Sequence, residues 1–264
     1  MKLATFNING IKARFEALPA WLASAAPDVV CLQEIKSQDD TFPREVFEAL
    51  GYRVETHGQK GFNGVAILSK LPLEDVVRGL PQSDAAADDP DIQARWIEAT
   101  VIGRRAVRLC GLYLPNGNPA PGPKYEYKLA WMARLEARAR ILLAAEEPVI
   151  FAGDYNVIPQ PEDAAKPEVW AEDALFLPQS RAAYRRLLNL GLYDAFRLRH
   201  PQPGHYSFWD YQAGAWERNN GIRIDHLLLS AGACDLLVDC RIDKEVRAGE
   251  KPSDHVPVWV ELDA

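Results

Sequence analysis

Polar side chains that can bind a metal ion or move a proton stand at the ends of several apolar segments. Asn7 lies at the end of the alternating segment 2–8, Glu34 follows the apolar run DVVCL, and Asp154 follows PVIFAG. Asp254 and His255 precede the last apolar segment, in SDHVPVW. Buried strands that end in polar groups are costly unless those groups meet partners. We therefore expect these strand ends to converge on one cleft.

Further polar residues extend this set. Asn156 lies two residues after Asp154, so both side chains project to the same side of an extended chain, and Asp225 adds a carboxylate in RIDHLLLS. Carboxylate and amide oxygens with a single His suit Mg²⁺ or Mn²⁺, whereas zinc favours more His or Cys ligands. A hard cation with open coordination positions typically organises phosphate chemistry. The residue types thus predict a metal-dependent enzyme acting on phosphate esters.

Single residues in this set have ordinary alternative explanations. Asn7 alone is typical of a turn, and Glu34 alone is typical of a surface carboxylate. The pattern SDHxPxW, which the segment SDHVPVW matches, is more specific because it fixes five residue types together. Four other histidines have no such partners, and we expect structural roles for them: His57, His200, His205 and His226.

Hydrophobic periodicity predicts the elements that position these residues. Helices are predicted at 13–25, 43–50, 125–145 and 181–190. Strands are predicted at 2–8, 28–32, 52–56, 65–69, 96–102, 106–114, 148–153, 192–196, 206–211, 222–230, 236–242 and 256–262. Residues 158–179, rich in Pro, Asp, Glu and Ala, are expected to form a loop with little regular structure. Many strands follow one another without a helix, which indicates two sheets packed face to face with helices outside. No linker divides the chain, so one domain over 1–264 is expected.

Composition excludes some classes of protein and leaves others open. With 48% hydrophobic and 25% charged residues over 264 positions, the chain is neither disordered nor fibrous. No apolar run approaches a membrane span, and the start MKLATFNING lacks a secretory signal. The four cysteines form no CxxC pair, which favours reduced thiols and a cytoplasmic protein. The net charge of −7 argues only weakly against nucleic-acid binding, because basic patches can coexist with an acidic total.

Eight strings in this order resemble the endonuclease/exonuclease/phosphatase superfamily, and within it the exonuclease III group of AP endonucleases and 3′-to-5′ exonucleases. The strings are FNINGIKAR, DVVCLQE, HGQKGFNGVAILSK, LYLPNG, GDYN, SFWDY, GIRIDHLLLS and KPSDHVPVW, and they extend from Phe6 to Trp259. The resemblance implies a four-layer α/β sandwich of two mixed sheets with helices outside. It also implies a Mg²⁺- or Mn²⁺-dependent hydrolase of double-stranded DNA, abasic or at 3′ termini, and we expect a monomer.

The resemblance also implies roles for individual positions. The implied metal-binding residues are Asn7, Glu34, Asp154, Asn156, Asp254 and His255. The implied catalytic residues are Tyr113, Asp154, Asn156, Asp225 and His255, with Asp225 orienting His255. Whether Asp154 or His255 acts as the general base stays open. Trp209 is expected to line the pocket for the sugar at the lesion. Two departures from the family, Tyr155 and the loop 158–179, put the balance of endonuclease and exonuclease activity in doubt.

DNA contacts should rest on basic residues beside the cleft that bind phosphates rather than bases. The candidates are Lys36, Arg95, Lys124 and Lys128, and plain surface charge is an equally good explanation for each. A phosphodiesterase or phosphatase of the same superfamily acting on a non-DNA phosphoester is the alternative function; SFWDY and NGIKAR argue against it. A noncatalytic DNA-binding module would require lost catalytic positions, and none is lost.

Overall fold

The structure is a computed structural model that describes residues 1–81 and 91–264. Its twelve described strands are β1 (Lys2–Asn7), β2 (Val29–Gln33), β3 (Arg53–His57), β4 (Val65–Ser69), β5 (Leu73–Arg78), β6 (Trp96–Ile102), β7 (Ala106–Tyr113), β8 (Val149–Asp154), β9 (Tyr193–Asp194), β10 (Asp225–Leu229), β11 (Leu237–Ile242) and β12 (Val258–Leu262). Its described α-helices are α1 (Ala17–Ala25), α2 (Arg44–Glu48), α3 (Pro123–Leu143), α4 (Pro178–Asn189), α5 (Ala195–Arg199) and α6 (Ala231–Cys234).

The strands form two six-stranded mixed sheets. The first has the order β11-β12-β1-β2-β4-β3 and the second the order β5-β6-β7-β8-β10-β9. Each sheet contains one parallel pair, β1 with β2 and β7 with β8. Because parallel strands end at the same edge, each pair delivers two carboxyl ends to one rim of its sheet.

Three apolar clusters hold the layers together. Inward-facing side chains such as Leu3 and Cys31 of the first sheet pack against Ile97, Leu109 and Ile150 of the second. The outer faces are covered by α1 and α2 on the first sheet and by α3 and α4 on the second. The central strands are buried on both faces, which explains their continuous apolar runs. The protein is therefore a four-layer α/β sandwich, as the sequence predicted.

Several element boundaries differ from the sequence predictions. Residues 206–211 form no strand and make only isolated bridges, such as Phe208 with Ile222. The predicted strand 192–196 stops at Asp194 because that carboxylate caps α5, accepting the N–H groups of Phe196 and Arg197. Strand β5 was not predicted, since its exposed, charged sequence LEDVVR lies at a sheet edge.

The segment 158–179 is more ordered than predicted. It contains two 3₁₀ turns, Pro161–Asp163 and Pro167–Trp170, and buries Ile158, Leu175 and Phe176 in an apolar cluster. Its buried carboxylate, Asp163, pairs with the buried guanidinium of Arg223 at 2.7 Å. The segment is thus tied to the residue two positions before Asp225.

Candidate active site

The two parallel strand pairs deliver polar side chains to a shared rim between the sheets. Asn7 continues the inward-facing series of β1, and Glu34 directly follows β2. In the second sheet, Tyr113, Asp154 and Asp225 stand side by side in register across β7, β8 and β10. Four of these positions extend the inward-facing alternation of the core to the sheet edge. Glu34 falls out of this alternation, because Val29 and Cys31 are the inward-facing residues of β2, and it has a left-handed backbone with φ of 50°. Residues distant in sequence are thereby gathered in one site.

Asn7 links the two sheets directly. Its fully buried Nδ2 donates to Glu34 Oε1 and to Asp154 Oδ2, each at 3.0 Å. Its Oδ1 accepts the backbone N–H of Asn9 at 3.0 Å. One amide therefore holds a carboxylate of each sheet at a fixed separation.

Asp154 is almost completely buried and is surrounded by amides. Its Oδ1 accepts the backbone N–H of Asn156 at 2.8 Å, and its Oδ2 lies 3.3 Å from Asn156 Nδ2. The same Nδ2 donates to Leu114 O at 2.9 Å, while Asn116 Nδ2 donates to Asn156 Oδ1 at 3.2 Å. Asn156 has a left-handed backbone with φ of 46°, which turns the chain sharply after β8. The turn keeps both side chains at the rim.

His255 lies between two carboxylates. Its Nδ1 is 2.8 Å from Asp225 Oδ2, and its Nε2 is 3.7 Å from Asp154 Oδ2. Ser207 Oγ donates to the same Asp225 oxygen at 2.6 Å and accepts the backbone N–H groups of Ile224 and Asp225. This arrangement fixes Asp225 Oδ2 as an acceptor, so His255 carries its proton on Nδ1 and aims Nε2 at the cleft.

Burial and neighbouring charges shift the acidities in opposite directions. Burial raises the pKa of Asp154, with the charge of His255 opposing this shift. Burial alone would lower the pKa of His255, but the carboxylates of Asp225 and Asp154 raise it above its usual value. The site therefore holds a protonated imidazole beside a carboxyl group that accepts a proton more readily than usual.

Glu34 and Tyr113 respond to the same environment. Burial would raise the pKa of Glu34, but hydrogen bonds from Lys36 and Asn7 lower it. Burial and the charges of Glu34 and Asp154 raise the pKa of Tyr113, which keeps its phenol neutral. The site thus presents an ionised Glu34 beside a neutral hydroxyl.

The donor set fits a hard divalent cation. Glu34, Asp154 and Asp254 supply carboxylates, and Asn7 and Asn156 supply amide oxygens, at or beside one cavity. In the described part of the chain, one His and acidic cluster has metal-ligand spacing: Asp154, Asp225 and His255. His255 Nδ1 and Asp225 are already hydrogen-bonded to each other. The better cation site is therefore the oxygen-rich side of the cleft, formed by the carboxylates and amides named above.

Asn9 and Lys36 complete the oxygen-rich side of the site. Asn9 was not predicted as a site residue, and Lys36 was predicted only as a DNA contact. Asn9 Nδ2 donates to Asp254 Oδ1 at 3.1 Å, and Lys36 Nζ donates to Asn9 Oδ1 at 2.5 Å. Lys36 Nζ also pairs with Glu34 Oε2 at 2.9 Å. Sequence reasoning assigned Lys36 to DNA phosphates, but its partners place it at the rim of the oxygen cluster.

A cavity of about 320 Å³ opens beside these groups. One wall is apolar, formed by Phe208, Trp170, Leu175 and Ile224, and another is formed by Tyr113, Asn116 and His255. The prediction that Trp209 lines this pocket is wrong. Trp209 is fully buried and packs against Tyr206 and Trp216, because neighbouring residues of an extended segment face opposite sides. Phe208, its neighbour, faces the pocket and lies 5.0 Å from the His255 ring.

The other predicted DNA-binding residues fall in different surroundings. Arg95 stacks over the Tyr113 ring at 4.8 Å and donates to Tyr113 O, so it borders the cleft. Lys124 is exposed at the start of α3. The prediction that Lys128 contacts phosphate is wrong, because its side chain is fully buried and donates to two backbone carbonyls.

Sequence reasoning missed Asn9, Asn116, Ser207 and Phe208. Three of these are small polar residues in loops, which are common on any surface and carry no signal by themselves. Lys128 did carry a signal: it occupies the buried stripe of α3 with Tyr125, Met132 and Leu135. A lysine at a core-facing helical position is unusual and points to a specific partner.

The chain is similar to known proteins over its whole length. Residues 4–255 match the sequence profile of the Endonuclease/Exonuclease/phosphatase family. This chain belongs to that family. It is 38% identical to exodeoxyribonuclease III of Haemophilus influenzae over 273 residues, which cover 99% of this chain and all of the relative.

Solved structures of family members show the same architecture. An AP endonuclease from Archaeoglobus fulgidus superposes with a TM-score of 0.92 at 37% identity, and each chain is covered completely. The 3′ phosphatase NExo from Neisseria, solved with a product DNA hairpin, gives a TM-score of 0.92 at 38% identity, again over both complete chains. The described residues contain no helix with the length and apolar character needed to cross a membrane.

Proposed function

We propose that this family member is a DNA repair nuclease that hydrolyses phosphodiesters 5′ to abasic sites and at the 3′ termini of duplex DNA. It is a phosphodiester hydrolase, like exodeoxyribonuclease III, to which it is similar over the full length of both chains. The observation that carries the proposal is the meeting of Asn7 and Glu34 from one sheet with Asp154 and the His255–Asp225 pair from the other.

The enzyme depends on a divalent metal, and we propose Mg²⁺ or Mn²⁺. Glu34 and Asp154 would be the principal holders of the ion, with Asn7, Asn156 and Asp254 adjacent. His255 was also predicted as a ligand, but its Nδ1 is engaged by Asp225, so we assign it a proton-transfer role. When bound, the ion supplies positive charge to the scissile phosphate and the leaving oxygen.

In the proposed mechanism, Asp154 orients and deprotonates the attacking water. Two observations support Asp154 rather than His255 as the base: burial raises the pKa of Asp154, and the Nδ1 of His255 is already held by Asp225. His255, kept protonated by Asp225, donates from Nε2 to a nonbridging phosphate oxygen. Asn156 orients Asp154 through its backbone N–H and its Nδ2, and neutral Tyr113 donates a hydrogen bond to the developing charge.

The apolar wall of the cavity gives a reason for acting at abasic or terminal positions. Phe208 and Trp170 present aromatic surface next to His255, and an extrahelical sugar without a base has no stacking to lose on entry. The polar wall with Asn116 and Asn118 faces the same space. We assign this cavity to the sugar of the nucleotide beside the cleaved bond.

A labelled-duplex assay tests the function. One duplex carries a single abasic analogue, a second is intact with recessed 3′ ends, and each is incubated with Mg²⁺, Mn²⁺ or EDTA. We expect incision at the analogue and shortening from the 3′ ends, both abolished by EDTA. Inertness on both duplexes, with hydrolysis of a phospholipid or inositol phosphate, would instead establish the non-DNA phosphoesterase alternative.

Asp154→Asn is the matched test of the base. Removing one transition-state group typically costs roughly 100- to 1,000-fold in rate. The variant should therefore lose turnover while keeping its affinity for the abasic duplex, measured in EDTA. Turnover close to that of the wild type would show that another group is the base.

Three expectations from the sequence remain part of this proposal. We propose that residues 1–264 form one catalytic domain, because the site residues come from both sheets and the two sheets pack on one apolar core. We propose a monomer, because each of those residues comes from the same chain. We also propose a cytoplasmic location, supported by four free cysteines.

A further inference from the structure

Lys128 is a buried lysine beneath the active site. It lies on α3 with its side chain fully excluded from solvent. Its Nζ donates to Asn116 O at 2.9 Å and to Asn156 O at 2.6 Å. A neutral amine and an ammonium both offer the two N–H groups that these bonds need.

The two carbonyls belong to the loops that carry the amides of the site. Asn156 follows Asp154 with a left-handed backbone, and Asn116 follows β7 and lines the cavity. The two side chains are hydrogen-bonded to each other at 3.2 Å. Lys128 is therefore the point at which both loops are attached to the long helix behind them.

The chain makes room for this lysine at Gly117. A Cβ added there would lie 2.7 Å from Lys128 Cδ, and the residue has φ of +92°, which favours glycine. The turn after Asn116 thus approaches the lysine stem as closely as a glycine allows. Both the lysine and the glycine fit one purpose, which is close attachment of the loop to α3.

Packing alone does not account for a lysine at this position. Burying an amine costs free energy that an apolar side chain of similar length avoids. Hydrogen bonds to the two carbonyls are the interactions that a Met would lack. These two hydrogen bonds offset the free-energy cost of burying the amine, and they attach two loops of the site to the same helix.

We infer that Lys128 is a positioning residue that fixes the Asn116 and Asn156 amides beside Asp154 at the cleft. This inference rests on the proposed nuclease function. It differs from a DNA-contacting role, since Lys128 touches neither solvent nor the cavity.

Lys128→Met tests the inference, because it keeps the length of the stem and removes both hydrogen bonds. Misplacement of a reacting group by about 1 Å costs on the order of 100-fold in rate. We expect kcat on the abasic duplex to fall roughly 10- to 100-fold. The dissociation constant for DNA in EDTA, and its dependence on salt concentration, should stay unchanged. Lys70→Met is the control, since Lys70 is an exposed lysine at the opposite end of the first sheet, after β4.

Three outcomes overturn the inference. The first is an unchanged kcat in Lys128→Met. The second is weaker DNA binding with a salt dependence reduced by about one phosphate contact, which would make Lys128 a phosphate ligand. If Lys128→Met does not fold, as judged by its thermal midpoint, Gly117→Ala decides: its Cβ displaces the lysine stem, and an unchanged kcat there contradicts the role. Absence of DNA cleavage by the wild type would instead refute the proposed function itself.

Discussion

Replacing Asp225 by asparagine tests whether the charge behind His255, rather than its hydrogen bond alone, serves the reaction. Ser207 Oγ accepts two backbone N–H groups and donates to Asp225 Oδ2 at 2.6 Å, so an acceptor is required there. In Asp225→Asn, the amide oxygen would take this position and retain the bond to His255 Nδ1. Among the described residues, Asp225 Oδ1 has no hydrogen-bond partner, and the amide nitrogen would occupy that space. The substitution therefore removes charge with little change in geometry.

The expected loss follows from two bounds. Exchanging a charged hydrogen bond for a neutral one forfeits about 1–2 kcal/mol. The full attraction of two charges about 4 Å apart, at an effective dielectric constant of about 20, is about 4 kcal/mol. Because about 1.4 kcal/mol corresponds to tenfold in rate, kcat should fall roughly 10- to 1,000-fold. The alkaline limb of the rate profile should move to lower pH, because His255 must stay protonated to donate and loses the partner that raises its pKa.

Single-turnover cleavage of the abasic duplex between pH 6 and 10 measures both effects. Asp235→Asn is the control, since Asp235 is an exposed carboxylate beyond the far end of β10. A kcat within about threefold of the wild type, with an unmoved alkaline limb, would refute the role assigned to the charge. Unfolding midpoints exclude a trivial loss of structure.

Four further predictions address the pocket, the metal, acid stability and DNA contact. Phe208→Ala should raise KM for the abasic duplex about tenfold. Trp209→Ala should leave KM unchanged but destabilise the fold by about 3–5 kcal/mol in urea unfolding. The reverse pattern would show that Trp209, not Phe208, lines the pocket. Glu34→Gln should raise the Mg²⁺ concentration needed for half-maximal cleavage, and an unchanged requirement would remove Glu34 from the metal site. Burial and a neighbouring guanidinium lower the pKa of His226 to about 4 from a usual 6.5. The stability contributed by its neutral form is therefore present above pH 6.5 and falls as the pH drops toward 4, by about 2 kcal/mol between pH 7 and 5. His226→Gln should lose that part of the pH dependence of urea unfolding, and an unaltered dependence would contradict the shift. Lys124→Met should reduce the logarithmic salt dependence of DNA binding by about one contact and leave kcat unchanged, and an unaltered salt dependence would mark Lys124 as ordinary surface charge.

The sequence was informative where a polar residue ends an apolar strand. Asn7, Glu34 and Asp154 could be singled out because a buried strand followed by a carboxylate or amide has few structural explanations. Their three-dimensional meeting was not derivable from the same pattern, because it depends on the order of strands in two sheets. Asn7 contacting Asp154, 147 positions away, is a consequence of topology.

The failures have equally physical causes. Phe208 and Trp209 are both aromatic and adjacent, and the choice between core and pocket is made by backbone bonds, such as Trp209 N to Asp254 O at 2.8 Å. Lys128 was predicted to bind a DNA phosphate, with plain surface charge as the alternative, although its helical position places it on the buried face. Strand β5 lacks the alternating pattern of a strand, whereas residues 206–211 were predicted as a strand but form a loop with isolated bridges. Both segments are held by tertiary contacts rather than by local sequence preference.

The contact between the sheets has a consequence for how this protein would tolerate change. Gly111 of β7 lies so close to the opposite sheet that a Cβ there would stand 3.0 Å from Cys31 Sγ. Any larger side chain at either position wedges the layers apart, and the same wedge would separate Glu34 from Asp154. A volume-increasing variant at either position, far beneath the surface, would then reduce cleavage while the molecule still looked folded by circular dichroism.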